Sequence, residues 1–413
     1  MFEVREEEER KPRCFLVGEP LNDLKELSGL ATTAGMEIAG LLTLSRLEIK
    51  PAYGMGSGKA EEIKELSKEA EADCIIFDFD LDPTKQRNWE KLTKIPCFDR
   101  QELIIRIFAQ RARTKEAVLQ VELARLSYSL PRLAHSYGDL SRQRGGSYGS
   151  KGSGETQLEL DQRQVRSKIN QVKKELLEVS KNRNTQRKKR SQIPVPECAL
   201  VGYTNAGKSS LLNALTGAKS FVEDELFATL DPLTRKLKLK DGNGILLTDT
   251  VGFIKNLPHS LIDAFKSTLS AARDADLLLI VIDSSDSQAL EQYKTVMEVL
   301  KETGADISKS LIILNKWDKK RESVSEGELL LNFPEAIKVS AKEETGFEEL
   351  FLRISRKLFG MQENYEIPLE EAEIVQLIRT KGIILKEEWK DNSVELLARL
   401  PENERERFSK YRR

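Results

Sequence analysis

"CALVGYTNAGKSSLLNALTG", residues 198–217, decides the fold class. An apolar run, Cys198–Val201, ends on Gly202; after four more residues come Gly207, Lys208 and Ser209, and then the helical pattern of Leu211, Leu212 and Leu215. Strand, glycine-bearing turn and helix in that order make a P-loop. The glycines let backbone N–H groups turn inward onto phosphates, and the helix N-terminus adds its positive dipole end. Gly202, Tyr203, Thr204, Asn205, Ala206, Gly207, Lys208, Ser209 and Ser210 are therefore expected around a phosphate chain. Lys208 should reach the β and γ phosphates, and the Ser209 hydroxyl should ligate Mg²⁺. Further apolar runs at 244–247, 277–282, 311–314 and 337–340 fit a mainly parallel sheet buried on both faces.

The base is read from "LNKWD", residues 314–318. The carboxylate of Asp318 can accept from guanine's ring N–H and exocyclic amine together, an arrangement adenine lacks. A site built to hydrogen-bond one ligand rejects the other by roughly 10⁴ or more. Lys316 should lie along the base plane, with Asn315 beside it. Ser340, Ala341 and Lys342 of "VSAKEETG" should meet the guanine carbonyl.

"LLTDTVGFIKNLPHS", residues 246–260, supplies the phosphate sensor. Asp249 should hold Mg²⁺ through water, with Thr250 and Val251 leading to Gly252, whose N–H should meet the γ-phosphate. Phe253 follows, where such sites often carry a glutamine that orients the attacking water. "FATLDPLTR", residues 227–235, should be the mobile loop that brings a threonine to the metal: Phe227, Ala228 and Thr229, with Thr234 as the competing threonine. Mg²⁺ ligands are then Ser209, Thr229 and Asp249, and catalysis falls to Lys208, Thr229 and Gly252. Every binding element is intact, so the site reads as a GTP switch with slow turnover until a partner completes it.

Over the whole chain, 413 residues suffice for two to four domains. Charged residues make up 32 % and no apolar run approaches the length of a membrane helix. The N-terminus "MFEVREEEERKPR" is too charged for a secretory signal. A cytoplasmic, monomeric protein is expected, with peripheral membrane association left open. Four scattered cysteines and two histidines argue against zinc and for buried, reduced thiols. Net charge is -1, yet residues 101–190 carry 20 Lys and Arg against 9 Asp and Glu, a balance of +11 that leaves −12 elsewhere. A basic block in an acidic protein points to a polyanionic partner or to solvated helix faces.

Residues 13–99 alternate strand and helix patterns, a small α/β domain. Gly54, Gly56 and Gly58 before Lys59 form either an anion-binding nest or a tight turn. Leu119, Leu123, Leu126 and Leu130, and then Val165, Ile169, Val172, Leu176 and Val179, step by threes and fours as the seams of a helical hairpin. Arms of about 30 residues would reach roughly 45 Å. Between them a Gly/Ser-rich stretch carries Arg132, Arg142, Arg144, Lys151, Tyr137 and Tyr148: a nucleic-acid probe or the floppy end of a spacer. Pro194 and Pro196 end the second arm, and after "ENYEIPL" one helix and two strands form a small α+β module.

With these stretches quoted, and with "DRQELIIRIFAQRARTKEAVLQVELARLSYSLPRL" and "GSGETQLELDQRQVR" besides, the chain resembles the HflX family of ribosome-associated GTPases over nearly its whole length. The resemblance implies an N-terminal α/β domain at 1–100, a basic helical hairpin at 101–193, a P-loop GTPase domain at 194–361 and a C-terminal α+β domain at 362–413. It implies a GTPase that binds the large ribosomal subunit, hence ribosomal RNA, and dissociates stalled or idle ribosomes. It also implies that a hydrophobic residue, here Phe253, replaces the glutamine. The hairpin loop "GGSYGSKGSGE" departs from the family's "GGIGTRGPGE", and Trp317 fills a position where smaller residues are common. Two other readings are an RNA-binding scaffold with a structural nucleotide and a tRNA-modification GTPase. The latter expects a cysteine near the C-terminus, and none follows Cys198.

Overall fold

A computed structural model describes the chain apart from residues 1–9, 21–23, 47–51, 137–152, 191–194, 219–225, 256–269, 320–325 and 401. The chain divides into two compact units. Among the described residues, one runs to Arg190 and takes in the segment ending at Asp231; the other holds the P-loop and everything C-terminal to that segment.

The first unit contains a parallel sheet of order β2-β1-β3-β4: β1 (Arg13–Gly18), β2 (Glu37–Thr43), β3 (Cys74–Phe77) and β4 (Cys97–Asp99). Helices α1 (Lys25–Thr33), α2 (Ser57–Glu69) and α3 (Pro83–Thr93) connect the strands, and Phe15, Val17, Ile75, Phe77 and Trp89 centre the core. The sequence shows no sign of β4, because three residues are too few to display a period. Gly56 is the N-cap of α2, Gly54 has φ of +78°, and Lys59 pairs with Glu62 at 2.8 Å. The glycine loop is thus a helix entry. All four cysteines of the chain are free and buried, and burial pushes each thiol pKa up.

Helix α4 (Arg100–Arg111) follows, capped by the Asp99 side chain, which accepts from Glu102 N–H at 2.9 Å. Then come α5 (Lys115–Ser136) and α6 (Ser153–Arg190), the hairpin arms. The expected seam of α5 is only half-buried at Leu119, Leu123, Leu126 and Leu130. Its fully buried stripe is Ala117, Val121, Ala124 and Tyr128. Helix α5 therefore serves two partners, burying one face against the α/β domain and lending the leucine face to α6. On α6, Val172 is buried while Leu177 is 62 % exposed.

Arg132 is not part of a basic tip. Its guanidinium donates to Asp99 Oδ2 (3.0 Å), the Leu81 carbonyl (2.8 Å) and Gln86 (2.8 Å), and stacks 3.3 Å above the Tyr128 ring. The Tyr128 hydroxyl donates to Asp99 Oδ1 at 2.9 Å. This cluster fastens α5 to the end of β4. Arg142, Arg144, Lys151, Tyr137 and Tyr148 lie outside the described residues. In the segment ending at Asp231, Leu226 N–H donates to Thr33 Oγ1 (3.3 Å) and Phe227 packs edge-on against Phe108 with ring centroids 4.6 Å apart. Asp231 accepts from the N–H groups of Arg113 (3.3 Å) and Thr114 (3.2 Å), closing the start of α5.

The second unit carries a six-stranded sheet of order β10-β9-β8-β5-β7-β6. Its strands are β5 (Glu197–Gly202), β6 (Leu233–Lys238), β7 (Gly244–Asp249), β8 (Leu277–Asp283), β9 (Ser310–Asn315) and β10 (Ile337–Lys338); β6 alone runs antiparallel. Helices α7 (Lys208–Thr216), α8 (Ala289–Thr303), α9 (Glu326–Asn332) and α10 (Phe347–Phe359) accompany it. A three-stranded antiparallel sheet follows, order β11-β13-β12, from β11 (Met361–Pro368), β12 (Ile383–Trp389) and β13 (Ser393–Leu400). Helix α11 (Glu373–Lys381) covers it, over a core of Tyr365, Ile367, Leu396 and Phe408. Strands β6 and β11 go beyond the sequence expectation, which had a mobile loop over the start of β6 and no strand at β11. Both are edge strands whose polar residues mask the apolar signal.

Candidate nucleotide site

In a parallel sheet the C-terminal ends of the strands share one edge, where such folds bind ligands. The ends of β5, β7, β9 and β10 bring Gly202–Ser210, Asp249–Gly252, Asn315–Asp318 and Ser340–Lys342 to that edge. Four stretches far apart in sequence become one site.

Strand β5 is buried from Cys198, and its turn into α7 depends on Gly207, at φ +87°. A Cβ there would stand 2.4 Å from the Asn315 Nδ2 atom, so the position needs glycine for both conformation and space. Lys208 is buried and its ammonium donates to the carbonyls of Tyr203 (2.7 Å) and Gly202 (3.1 Å). Burial pulls its pKa down to about 8, against the opposing pull of Asp249. A phosphate chain would supply the negative charge this buried cation favours. The Ser209 hydroxyl donates to Asp249 Oδ2 at 2.6 Å, so the two expected metal ligands meet. Thr250 is buried and donates to the Leu200 carbonyl at 2.7 Å. It braces the strand end.

Phe253 is 1 % exposed. Its N–H donates to the Gly202 carbonyl (3.1 Å) and its carbonyl accepts from Thr204 N–H (2.7 Å), a parallel bridge between the two phosphate loops. Tyr203 adds a third tie, its hydroxyl accepting from Lys255 N–H at 2.8 Å.

On the base side, Asn315 is 1 % exposed and faces the protein. It donates to the Ala206 carbonyl (2.9 Å) and accepts from Ala341 N–H (3.1 Å), joining the P-loop to the 340 loop. Asp318 is exposed and accepts from the Ser340 hydroxyl at 2.5 Å, which holds its carboxyl below the usual range, so it stays an anion for a base to meet. Ser340 in turn accepts from Glu343 N–H at 3.0 Å. Lys316, at φ +58°, is pinned by Asp283 at 2.8 Å. Asp283 was missed: it ends the apolar run of β8, and only the sheet order brings it beside the NKxD strand. Lys342 is a solvent-facing side chain 3.8 Å from Glu343.

Phe227, Ala228 and Thr229 belong to the first unit, Phe227 buried at φ +56° and Thr229 half-buried. Thr234, the competing threonine, lies within β6 and shares a 2.9 Å hydrogen bond with Thr248. It is a ladder residue of the sheet.

Comparison with known proteins agrees with this geometry. The family description "GTP-binding GTPase N-terminal" matches residues 22–109, "GTP-binding GTPase Middle Region" residues 111–190, and "50S ribosome-binding GTPase" residues 197–316. The GTPase HflX of Caldanaerobacter subterraneus subsp. tengcongensis is 41 % identical, over 100 % of this chain and 95 % of its own. That of Akkermansia muciniphila is 42 % identical over 97 % of each chain, and that of Escherichia coli K12 is 40 % identical over 94 % and 92 %. The chain belongs to the HflX family of GTPases. As an HflX GTPase it binds GTP and hydrolyses it. A solved structure of SsGBP in complex with GDP is similar at a TM-score of 0.50 and 27 % identity, over 84 % of this chain and 98 % of that one. No described helix of this HflX GTPase is long and apolar enough to cross a membrane.

Proposed function

We propose that this HflX GTPase binds the large ribosomal subunit in its GTP form and dissociates stalled or idle ribosomes, acting as a monomer in the cytoplasm. The observation that carries the reading is the hairpin. Helix α6 is 38 residues long, about 57 Å at 1.5 Å per residue, with Arg163, Arg166, Lys168, Lys173 and Lys174 solvent-exposed. A basic helix of that length, within a stretch of balance +11, suits a polyanion such as ribosomal RNA. The functional parts are assigned to residues 1–100, 101–193, 194–361 and 362–413. The description "50S ribosome-binding GTPase" for residues 197–316 supports the same partner.

Mg²⁺ fits the phosphate side of the site. Ser209 and Asp249 offer hard oxygens 2.6 Å apart next to the buried Lys208, and Mg²⁺ takes one or two protein ligands with the rest from phosphates and water. Thr229 is assigned as the further ligand in the GTP state. When bound, the ion neutralises charge on the phosphates. Lys208 then holds the β and γ phosphates, the Gly252 N–H meets the γ-phosphate, and Asp318 with Ser340 and Ala341 selects guanine.

The test measures GTP turnover by the full chain with and without large ribosomal subunits, at several salt concentrations. Acceleration of at least roughly 100-fold by the subunit is expected, since a partner that completes a phosphoryl-transfer site contributes on that scale. Replacing Arg142, Arg144 and Lys151 with Glu should weaken subunit binding and flatten its salt dependence while free GTP affinity holds. Turnover indifferent to subunits, with salt-independent binding, would sink the reading.

A further inference from the structure

Phe253 raises the question of what positions the water in a GTPase that lacks the usual glutamine. The bridge pairs Phe253 with Tyr203 and points to the next residue, whose N–H it engages. Thr204 is 6 % exposed, and its Oγ1 is buried with no hydrogen-bond partner among the described residues. A buried hydroxyl without a partner costs free energy, on the order of 1–3 kcal/mol in mutational data, so such a group calls for an explanation.

Its surroundings supply one. A Cβ built on Gly252 would stand 2.8 Å from Thr204 Cα, 2.9 Å from Thr204 Cγ2 and 3.1 Å from Lys208 Nζ. Thr204, through its Cα and Cγ2, therefore meets Gly252 and the P-loop ammonium at one point, which places its side chain at the junction of the two loops. Thr204 is fixed there because its N–H is spent on the Phe253 carbonyl at 2.7 Å. Phe253 thus contributes through its backbone: it cannot touch water with its ring, but it holds the Thr204 main chain in place.

We propose that the Thr204 hydroxyl is a catalytic group that orients the water attacking GTP. A hydroxyl is donor and acceptor at once, so it can accept from the attacking water and donate to a γ-phosphate oxygen only as charge builds there in the transition state. The water oxygen bonds to the γ-phosphorus as the bond to the β–γ bridging oxygen breaks. The electron pair of that bond leaves with GDP, and the water's proton passes to the departing phosphate. This rests on GTP hydrolysis alone and is independent of the ribosomal reading.

The test uses the full chain with Mg²⁺ and compares Thr204→Val, which keeps the shape, with Thr204→Ser, which keeps the hydroxyl. Single-turnover hydrolysis without any partner should fall roughly 100-fold in T204V, the scale for losing one transition-state hydrogen bond, and stay within a few-fold in T204S. Affinities for GDP and for a non-hydrolysable GTP analogue should not move in either variant. Capture of GDP with aluminium fluoride, which mimics the transferring phosphoryl group, should be lost in T204V and retained in T204S. The melting temperature of ligand-free T204V should be unchanged or higher, because an unpartnered buried hydroxyl has been removed. A lower melting temperature would mean a structural role and overturn the proposal. So would a selective loss of GTP-analogue affinity, which would mean a ground-state phosphate contact. So would normal turnover, or normal aluminium fluoride capture, in T204V.

Discussion

Replacing Asn315 with Ala should weaken GDP and GTP equally, by up to about two orders of magnitude. The amide makes one hydrogen bond to the P-loop, at the Ala206 carbonyl (2.9 Å), and one to the 340 loop, from Ala341 N–H (3.1 Å). Asn315 is 1 % exposed, so truncation strands two polar backbone groups where water enters poorly. Each lost hydrogen bond is worth about 1 kcal/mol, and each stranded group adds about 1–3 kcal/mol where it stays dry. Partial rehydration brings the sum to about 3 kcal/mol, which sets an upper limit of about 100-fold in Kd at 1.4 kcal/mol per decade, any part lost from the free protein appearing in its stability instead. Both nucleotides share the parts that these loops hold, so discrimination between them should not change. Titrating fluorescent GDP and a non-hydrolysable GTP analogue measures both affinities, and a thermal melt registers what part of the loss falls on folding. Affinities within twofold of the parent, together with an unchanged melting temperature, would show that Asn315 does not join the two halves of the site.

Asp318→Asn should weaken GTP and favour xanthine nucleotides, because the amide can donate to a carbonyl where the carboxylate accepted from an amine; equal competition by ATP in the parent protein would refute the guanine assignment. Raising the pH should weaken nucleotide binding. The Lys208 pKa is about 8 in the free protein and a phosphate chain raises it, so full affinity holds below about 8 and is lost as pH climbs above it; a flat profile from pH 7 to 10 would refute the coupling. Arg132→Ala should lower stability by about 3–5 kcal/mol in a denaturant titration, since it leaves the buried Asp99 carboxylate without its cation. A neutral result would return Arg132 to the RNA-facing set.

The stretches that the sheet gathers into the candidate nucleotide site were largely legible in the sequence because their signals are local. A strand, Gly202, Gly207, Lys208 and Ser209 in one stretch fix a backbone shape and a donor set without help from elsewhere, and Asn315–Asp318 do the same for the base. The long apolar runs of β5, β8 and β9 likewise announced a parallel sheet, because strands buried on both faces cannot be polar. What the tertiary structure decided were the pairings. Lys316 gains Asp283, Asn315 becomes a brace between two loops, and Arg132 leaves the basic stretch for Asp99 and Tyr128. No spacing rule predicts these, because each joins segments brought together only by sheet order or helix packing. Edge strands β6 and β11 and the three-residue β4 escaped notice for a related reason: their ladder hydrogen bonds come from neighbours and their own side chains carry little signal. Phe253 shows the division most plainly. Its identity in the sequence marks which side chain is missing, and only the bridge to Tyr203 and the hydrogen bond from Thr204 N–H show what its backbone holds in place.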